Sequence, residues 1–252
     1  MTVRWGIIPA AGRGSRIQPL AFSKELLPVG MRCDGPNERP RAVSEYLLQR
    51  MLLAGVTRVC FVISPAKSDI MGYFGGQVEK ASICYTVQQN ANGLCDALFR
   101  ALPFITPQDE VVVGLPDTIW FPENGFLSLP DAQFSFLLFP VATPELFDAV
   151  VTNERGDVEE IQVKCPNAHS HWVWGAFKLT GAHLSDLYRL WCERNQQDEY
   201  LGTLVNAYLA KGGSAVGVKC GESYVDVGTL HGYHEALRVL SSESRHYHEV
   251  EP

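Results

Sequence analysis

The sequence predicts an α/β fold, a mainly parallel sheet with helices on both faces, organised as a single domain. Three observations predict it. Short apolar runs alternate with helical patterns through the first half of the chain, which is the signature of βαβ units. Hydrophobic residues make up 46% of the 252 and charged residues 19%, enough for a large core and without a composition typical of disorder. The length exceeds that of an ordinary domain, but α/β folds reach it around one continuous sheet.

Taken in order, the candidate strands of the first half are Trp5–Pro9, Arg58–Ile63, Ile83–Val87, Glu110–Leu115 and Phe134–Pro140. Between the first two, Val43–Ala54 carries apolar residues at 43, 47, 48, 51 and 52 on one helical face, with Gly55 placed to end the helix. Gly93–Ala101 reads as a helix before the strand that leads to Asp117. The second half changes character. Ala149–Thr152 and Val158–Lys164 flank Asn153-Glu154-Arg155-Gly156-Asp157 as a hairpin, and Trp172–Leu179 reads as a further strand. Helices are expected at Leu184–Arg194, Tyr200–Ala210 and Leu230–Leu240, with Ser214–Val218 and Tyr224–Val225 returning to the sheet and 241–252 forming a loose polar tail. No internal repeat is visible.

A formal net charge of -7, with the 21 Lys and Arg nowhere in a dense run, argues against a nucleic-acid surface. Any phosphate must then be held by a few placed cations. Neither a signal peptide nor a membrane span is apparent, so a cytoplasmic protein with no membrane partner is expected. The seven cysteines form no Cys-x-x-Cys, and most of them read as small buried residues. The pairs His169/His171 and His231/His234 lack further ligands at metal-binding spacing and read as surface or helix-face residues.

Ile7-Ile8-Pro9-Ala10-Ala11-Gly12-Arg13-Gly14-Ser15-Arg16 sets a small-residue loop directly after the first strand, where backbone N–H groups can approach a polyphosphate without Cβ interference. A dinucleotide fingerprint would need glycine where Ile17 stands, and a Walker loop would need Gly-Lys-Ser/Thr; neither is present. The loop leads on to Ser23-Lys24-Glu25-Leu26-Leu27-Pro28-Val29. Together the two segments resemble the signature of the sugar-1-phosphate nucleotidyltransferase family, which includes glucose-1-phosphate thymidylyltransferases and uridylyltransferases. The likeness continues in order through Val87-Gln88, Gly93-Leu94, Val112–Asp117, Val163–Pro166, Trp174-Gly175 and Tyr224–Thr229.

The resemblance implies a Rossmann-like nucleotidyltransferase domain over residues 1–240, with a nucleotide-binding half (1–145) and a sugar-phosphate-binding elaboration (146–240). Ala10, Ala11, Gly12, Gly14 and Ser15 would cradle the nucleotide, and Gln88 and Gly93 would meet the base. Asp117 and Asp226 would hold Mg²⁺, Lys164 would hold the sugar phosphate, and Trp174, Gly175 and Glu199 would lie beside the sugar. Arg16 and Lys24 would draw off the charge of a leaving pyrophosphate, Arg16 as a planar fork and Lys24 as a point charge. The implied reaction is attack by the sugar-1-phosphate on the α-phosphorus of a nucleoside triphosphate. With both substrates small, no nucleic acid is expected as partner, and homo-oligomers are common in the family.

Four departures bear on the substrate. Pro116-Asp117-Thr118, like Pro9–Gly12, is closer to uridylyltransferases than to thymidylyltransferases. Val163 stands where the family uses a glutamate on sugar hydroxyls, which predicts loosened or shifted sugar selectivity. Met31–Arg41 reads as an insertion forming a lid or contact loop, and Glu199-Tyr200-Leu201 matches its segment only loosely. An amide with both donors and an acceptor at Gln88 suits the imide edge of uracil or thymine, predicting UTP or dTTP. The rival readings are a non-catalytic nucleotide- or sugar-phosphate-binding homologue and a dinucleotide oxidoreductase. The first would be favoured by loss of Arg16 or an aspartate, all of which are present; the second fails at Ile17 and at Ile63-Ser64, where an acidic residue would be needed.

Overall fold

The structure is a computed structural model that describes residues 2–248. In chain order, β1 (Arg4–Pro9) is followed by the loop of residues 10–23, a hairpin of β2 (Pro28–Asp34) and β3 (Asn37–Ala42), then α1 (Val43–Leu53) and β4 (Arg58–Ile63). Next come α2 (Ser68–Phe74), β5 (Gln77–Val78), β6 (Ala81–Val87), α3 (Gly93–Phe99) and β7 (Glu110–Gly114). The chain continues through β8 (Thr118–Phe121), β9 (Ser135–Pro140), β10 (Asp148–Thr152), β11 (Val158–Val163) and β12 (Trp172–Thr180). It closes with α4 (Gly181–Glu193), α5 (Leu201–Ala210), β13 (Val216–Val218), β14 (Ser223–Asp226) and α6 (Leu230–His248).

Four parallel strands lie in the order β7-β1-β4-β6 at the centre of the sheet. Their side chains alternate between two buried layers. Ile7, Cys60, Val62, Val111 and Val113 pack with residues of α3, α4 and α5. Ile8, Val59, Phe61, Ile63 and Val112 pack on the other face with Leu47, Leu48 and Met51 of α1 and Ile70 and Phe74 of α2. Helices therefore cover both faces, as the alternating pattern predicts.

This strand order creates the site. From β1 the chain crosses through α1 to β4 on one side, and from β6 it returns through α3 to β7 on the other. The connections diverge between β1 and β7, where open α/β sheets form a crevice beyond the carboxyl ends of the strands. The segments that leave those ends are the 10–23 loop and the turn carrying Asp117.

The second half is mainly antiparallel: β12 pairs with both β7 and β9, and β10 pairs with β11 as the expected hairpin, while β13 joins β9 in parallel, so the whole sheet is mixed. Tyr224–Val225 does not return to this sheet. It belongs to β14, which pairs with the short β8 in a separate two-stranded sheet that sets Asp226 opposite Thr118. Met31–Arg41 is the β2–β3 hairpin rather than an irregular lid; most of its side chains are exposed, so it has no apolar alternation to read. The last helix runs past Leu240 to His248, although its apolar periodicity stops there, and residues 249–252 of the expected tail lie outside the described residues. No helix among the described residues is long and apolar enough to cross a membrane.

Candidate active site

The loop after β1 is anchored from below by buried charge. Glu25, fully buried in the turn that follows the loop, accepts two hydrogen bonds from Lys67 Nζ at 2.7 and 2.8 Å. The same ammonium donates to the Ala10 carbonyl at 2.8 Å, tying the start of the loop to that turn. Burial disfavours charge on both partners, raising the Glu25 pKa and lowering that of Lys67 in spite of their mutual attraction. Asp69 fixes the other flank, accepting from Ser23 N at 2.7 Å and Ser23 Oγ at 2.6 Å. Between these anchors Lys24 projects upward, and Gly14 (φ +65°) wraps over its stem; a Cβ there would lie 2.7 Å from Lys24 Cδ. Gly12 and Ser15 are exposed, whereas Ala10 is buried and its N–H already donates to Val62 O at 2.8 Å. Ala10 therefore supports the loop and has no N–H to offer a phosphate.

Asp117 and Asp226, distant in sequence, meet because β8 and β14 pair. Val227 N donates to Asp117 O at 2.8 Å, and Gly228 N to Asp226 Oδ1 at 2.9 Å. A Cβ on Gly228 would lie 2.7 Å from Asp117 Oδ2, 2.9 Å from Asp226 Oδ1 and 3.3 Å from Arg16 Nη2. Both carboxylates and the loop arginine thus converge on one point, and only glycine leaves it open. Lys24 Nζ is bonded to Asp117 Oδ2, and Arg16 Nη1 to Asp226 Oδ2 at 2.8 Å. Burial works against charge on Lys24 and on Asp117, yet their mutual attraction prevails and holds the Lys24 pKa above, and the Asp117 pKa below, the ordinary values.

Two converging carboxylates are hard oxygen donors of the kind Mg²⁺ takes when phosphate oxygens and water complete its shell, so the residues fit that ion. No cluster of three or more His, Cys, Asp or Glu able to hold a metal occurs among the described residues. A cation here would be shared between the aspartate pair and a phosphorylated substrate.

A cavity of about 270 Å³ beside the loop is lined by Pro9, Ala11, Gly12, Gln88, Gly93 and Leu94 among others. Gln88 is buried, and its Nε2 donates to Gly93 O at 3.0 Å and to Asp96 Oδ2 at 2.9 Å. Both partners only accept, so the amide has one orientation. Arg100 secures Asp96 from behind, reaching Oδ1 from Nε at 3.1 Å and Nη2 at 2.7 Å. The donors expected to be available on Gln88 are therefore spent, and Oε1 is what remains for a ligand. Gly93 (φ +90°) meets the protein itself, since a Cβ there would lie 2.6 Å from Cα and O of Glu199. Glu199 contributes this backbone contact, accepting from Leu94 N at 2.8 Å.

A second cavity, of about 460 Å³, has Arg16, Asp117 and Asp226 on its wall together with Asp148, Lys164, Trp174, Tyr200 and Tyr224. The Lys164 ammonium lies 4.6 Å from the centroid of the Tyr200 ring and 3.5 Å from its hydroxyl. Tyr224 is kept a neutral phenol by burial and by the nearby Asp226 and Asp117, which hold its pKa well above the usual value. Gly175 stands behind the wall, where a Cβ would lie 2.5 Å from Tyr224 Cε2. The structure thus brings Arg16, Asp117, Asp226, Lys164 and Trp174 around one space, with Lys24 joined to it through Asp117, and sets Gly175 and the Glu199 side chain outside its lining. Asp96, Asp148, Tyr200 and Gly228 join the site without having been singled out from sequence. Only Gly228 and Tyr200 carried a local signal, lying inside quoted motif segments.

The chain matches the nucleotidyl transferase family over residues 5–243. It is 26% identical to glucose-1-phosphate thymidylyltransferase of Mycolicibacterium smegmatis over 89% of this chain and 78% of that protein. It is 21% identical to UTP--glucose-1-phosphate uridylyltransferase AglF of Haloferax volcanii over 94% and 97% of the two chains. In fold it resembles UTP-bound UGPase from Acinetobacter baumannii, with a TM-score of 0.75 at 19% identity over 99% of this chain and 100% of that one. With nearly its whole length matched, the chain belongs to the nucleotidyl transferase family.

Proposed function

We propose that the protein transfers a nucleotidyl group from a nucleoside triphosphate to a sugar-1-phosphate, giving a nucleoside-diphosphate sugar and pyrophosphate. The observation that carries this reading is the convergence of Asp117, Asp226, Arg16 and Lys24 where the strand connections diverge, with Lys164 on the same cavity wall. A phosphate monoester has its second pKa near about 6, so the attacking oxygen is already anionic at neutral pH and no general base is needed. That oxygen forms a bond to the α-phosphorus as the bond from that phosphorus to the β-phosphate oxygen breaks, and the electron pair leaves with pyrophosphate.

Lys164 holds the attacking phosphate, while Arg16 and Lys24 stabilise the leaving group. In the structure these two cations neutralise the two carboxylates, and a triphosphate offers them new partners of higher charge. Mg²⁺, held by Asp117 and Asp226 with phosphate oxygens, would neutralise the triphosphate and clamp the reacting groups. Gln88, with Oε1 as its free atom, accepts from the N3–H of uracil or thymine; the unprotonated N3 of cytosine has nothing to donate. UTP or dTTP is therefore the preferred donor.

The test is ³¹P NMR of reactions that cross UTP, dTTP, CTP, ATP and GTP with glucose-1-phosphate and other hexose-1-phosphates in the presence of Mg²⁺. The expected result is a diphosphate-ester product and pyrophosphate, most rapidly with UTP or dTTP. Absence of product from every pair would refute transfer, and faster reaction of CTP would refute the reading of Gln88.

A further inference from the structure

We propose that Asp148 is the residue that selects the sugar: its carboxylate accepts a hydrogen bond from one ring hydroxyl of the sugar-1-phosphate, with the Trp174 indole N–H donating to the same hydroxyl. This rests on the transfer reading above and names a specificity determinant within it.

In the β10–β11 pair, Asp148 stands directly opposite Val163. Residues directly opposite in an antiparallel pair project to the same face, with Cβ atoms about 4.5–5.5 Å apart. Asp148 therefore shares a sheet face with Val163, the neighbour of Lys164. Lys164, next to Val163, is bound to the residue before Asp148 through Lys164 N and Phe147 O at 3.0 Å. The group that would hold the phosphate and the group that would hold a hydroxyl are therefore spaced by one backbone ladder.

Asp148 Oδ1 is buried without a hydrogen-bond partner, and so is Trp174 Nε1. Both residues line the cavity shared with Lys164 and the aspartate pair. Buried polar atoms in folded proteins are almost always partnered, so two orphans of opposite character on one cavity wall indicate a ligand that satisfies both. Burial raises the Asp148 pKa, although the nearby Trp174 indole and the charge and backbone N–H of Lys164 all favour the ionised carboxyl. A hydroxyl can donate to the carboxylate and accept from the indole at once. A site built around such a hydroxyl rejects the analogue that lacks it, because its own buried groups are then left unpaired. The loosened selectivity expected from Val163 alone is replaced by sharp selectivity at one ring position.

Steady-state kinetics of wild type, Asp148→Ala, Asp148→Asn and Trp174→Phe with glucose-1-phosphate and its 2-, 3-, 4- and 6-deoxy analogues, at saturating UTP or dTTP, decide the matter. For wild type, kcat/KM should fall on the order of 10²-fold for one deoxy analogue. Asp148→Ala should lose a similar factor with glucose-1-phosphate and nothing further with that analogue, while the penalties at the other ring positions stay as in wild type. The near-isosteric Asp148→Asn and Trp174→Phe should show the same position-specific coupling more weakly, which keeps the test open if the alanine variant folds poorly. Equal losses across all analogues would assign Asp148 a structural role, and unchanged kinetics would show no role; either overturns the proposal. Failure of wild type with every sugar phosphate and triphosphate would overturn the transfer reading, and this one with it.

Discussion

On the phosphate-loop side of the cavity, Arg16, Lys24 and Lys67 each meet a carboxylate, and Gln88 has both amide hydrogens engaged. Across the cavity, Asp148 and Trp174 present buried polar atoms with no partner, and Lys164 rests on the face of an exposed tyrosine. The two walls solve different problems. Arg16 and Lys24, the proposed phosphate contacts, carry full charge where an unpaired ion is costly, and each is held in a reciprocal pair that a bound triphosphate would exchange for a partner of higher charge. On the other wall the unpartnered Asp148 carboxyl and Trp174 indole are themselves costly, burial raising the Asp148 pKa, and under the proposed reading a sugar hydroxyl would relieve that cost on binding.

Breaking the paired wall should have the largest effect. Asp117→Asn and Asp226→Asn should each lower kcat on the order of 10³-fold or more, because each removes a charged ligand and a cation's partner together; single-turnover pyrophosphate release measures it. Lys67→Met should cost about 3–5 kcal/mol of stability by leaving Glu25 buried and unpaired, and Lys67→Met with Glu25→Leu should recover much of that in urea unfolding. Asp96→Asn should let the Gln88 amide turn over, narrowing the kcat/KM preference for UTP or dTTP over CTP by roughly fivefold, as expected for one hydrogen bond of about 1 kcal/mol.

The smallest effect expected is a pH dependence. Burial alone would raise the Asp69 pKa, but its hydrogen bonds from Ser23 and Ile70 outweigh that and hold it below the ordinary value. A carboxyl depressed in the folded state stabilises the fold above its unfolded pKa, about 3.9, and loses that contribution as pH falls through the folded value. The stability gap between wild type and Asp69→Asn should therefore be full at pH 6 and shrink below about pH 4 in urea titrations.

How much of this could be read from the residues depended on where each interaction partner lies in sequence. The β1 loop, Lys24, Asp117 and the parallel core were legible because each announces itself locally, by a glycine pattern, an apolar run or a strand end. Asp148 and Gly228 were not, because their meaning comes from distant partners: Asp148 matters through its register with Val163, and Gly228 through its distance to Asp117. Asp96 sits in an otherwise apolar helix start and gains its role only when Gln88 folds back against it. Gly93 and Gly175 stand in motif segments that point to ligands, yet the atoms that require glycine there belong to Glu199 and to Tyr224 and Phe139. The same fold-level contacts explain both kinds of miss, since a motif shows which residue is present and not which neighbour demands it.

In the proposed transfer the sugar phosphate attacks the α-phosphorus directly, with cations and carboxylates positioning the groups and no protein nucleophile intervening. The most direct measurement is the stereochemical course of the reaction with a single diastereomer of the α-thio analogue of UTP or dTTP. A single in-line displacement predicts inversion of configuration at the α-phosphorus in the nucleoside-diphosphate sugar. Retention would require two displacements through a nucleotidyl-enzyme intermediate, and would contradict the account.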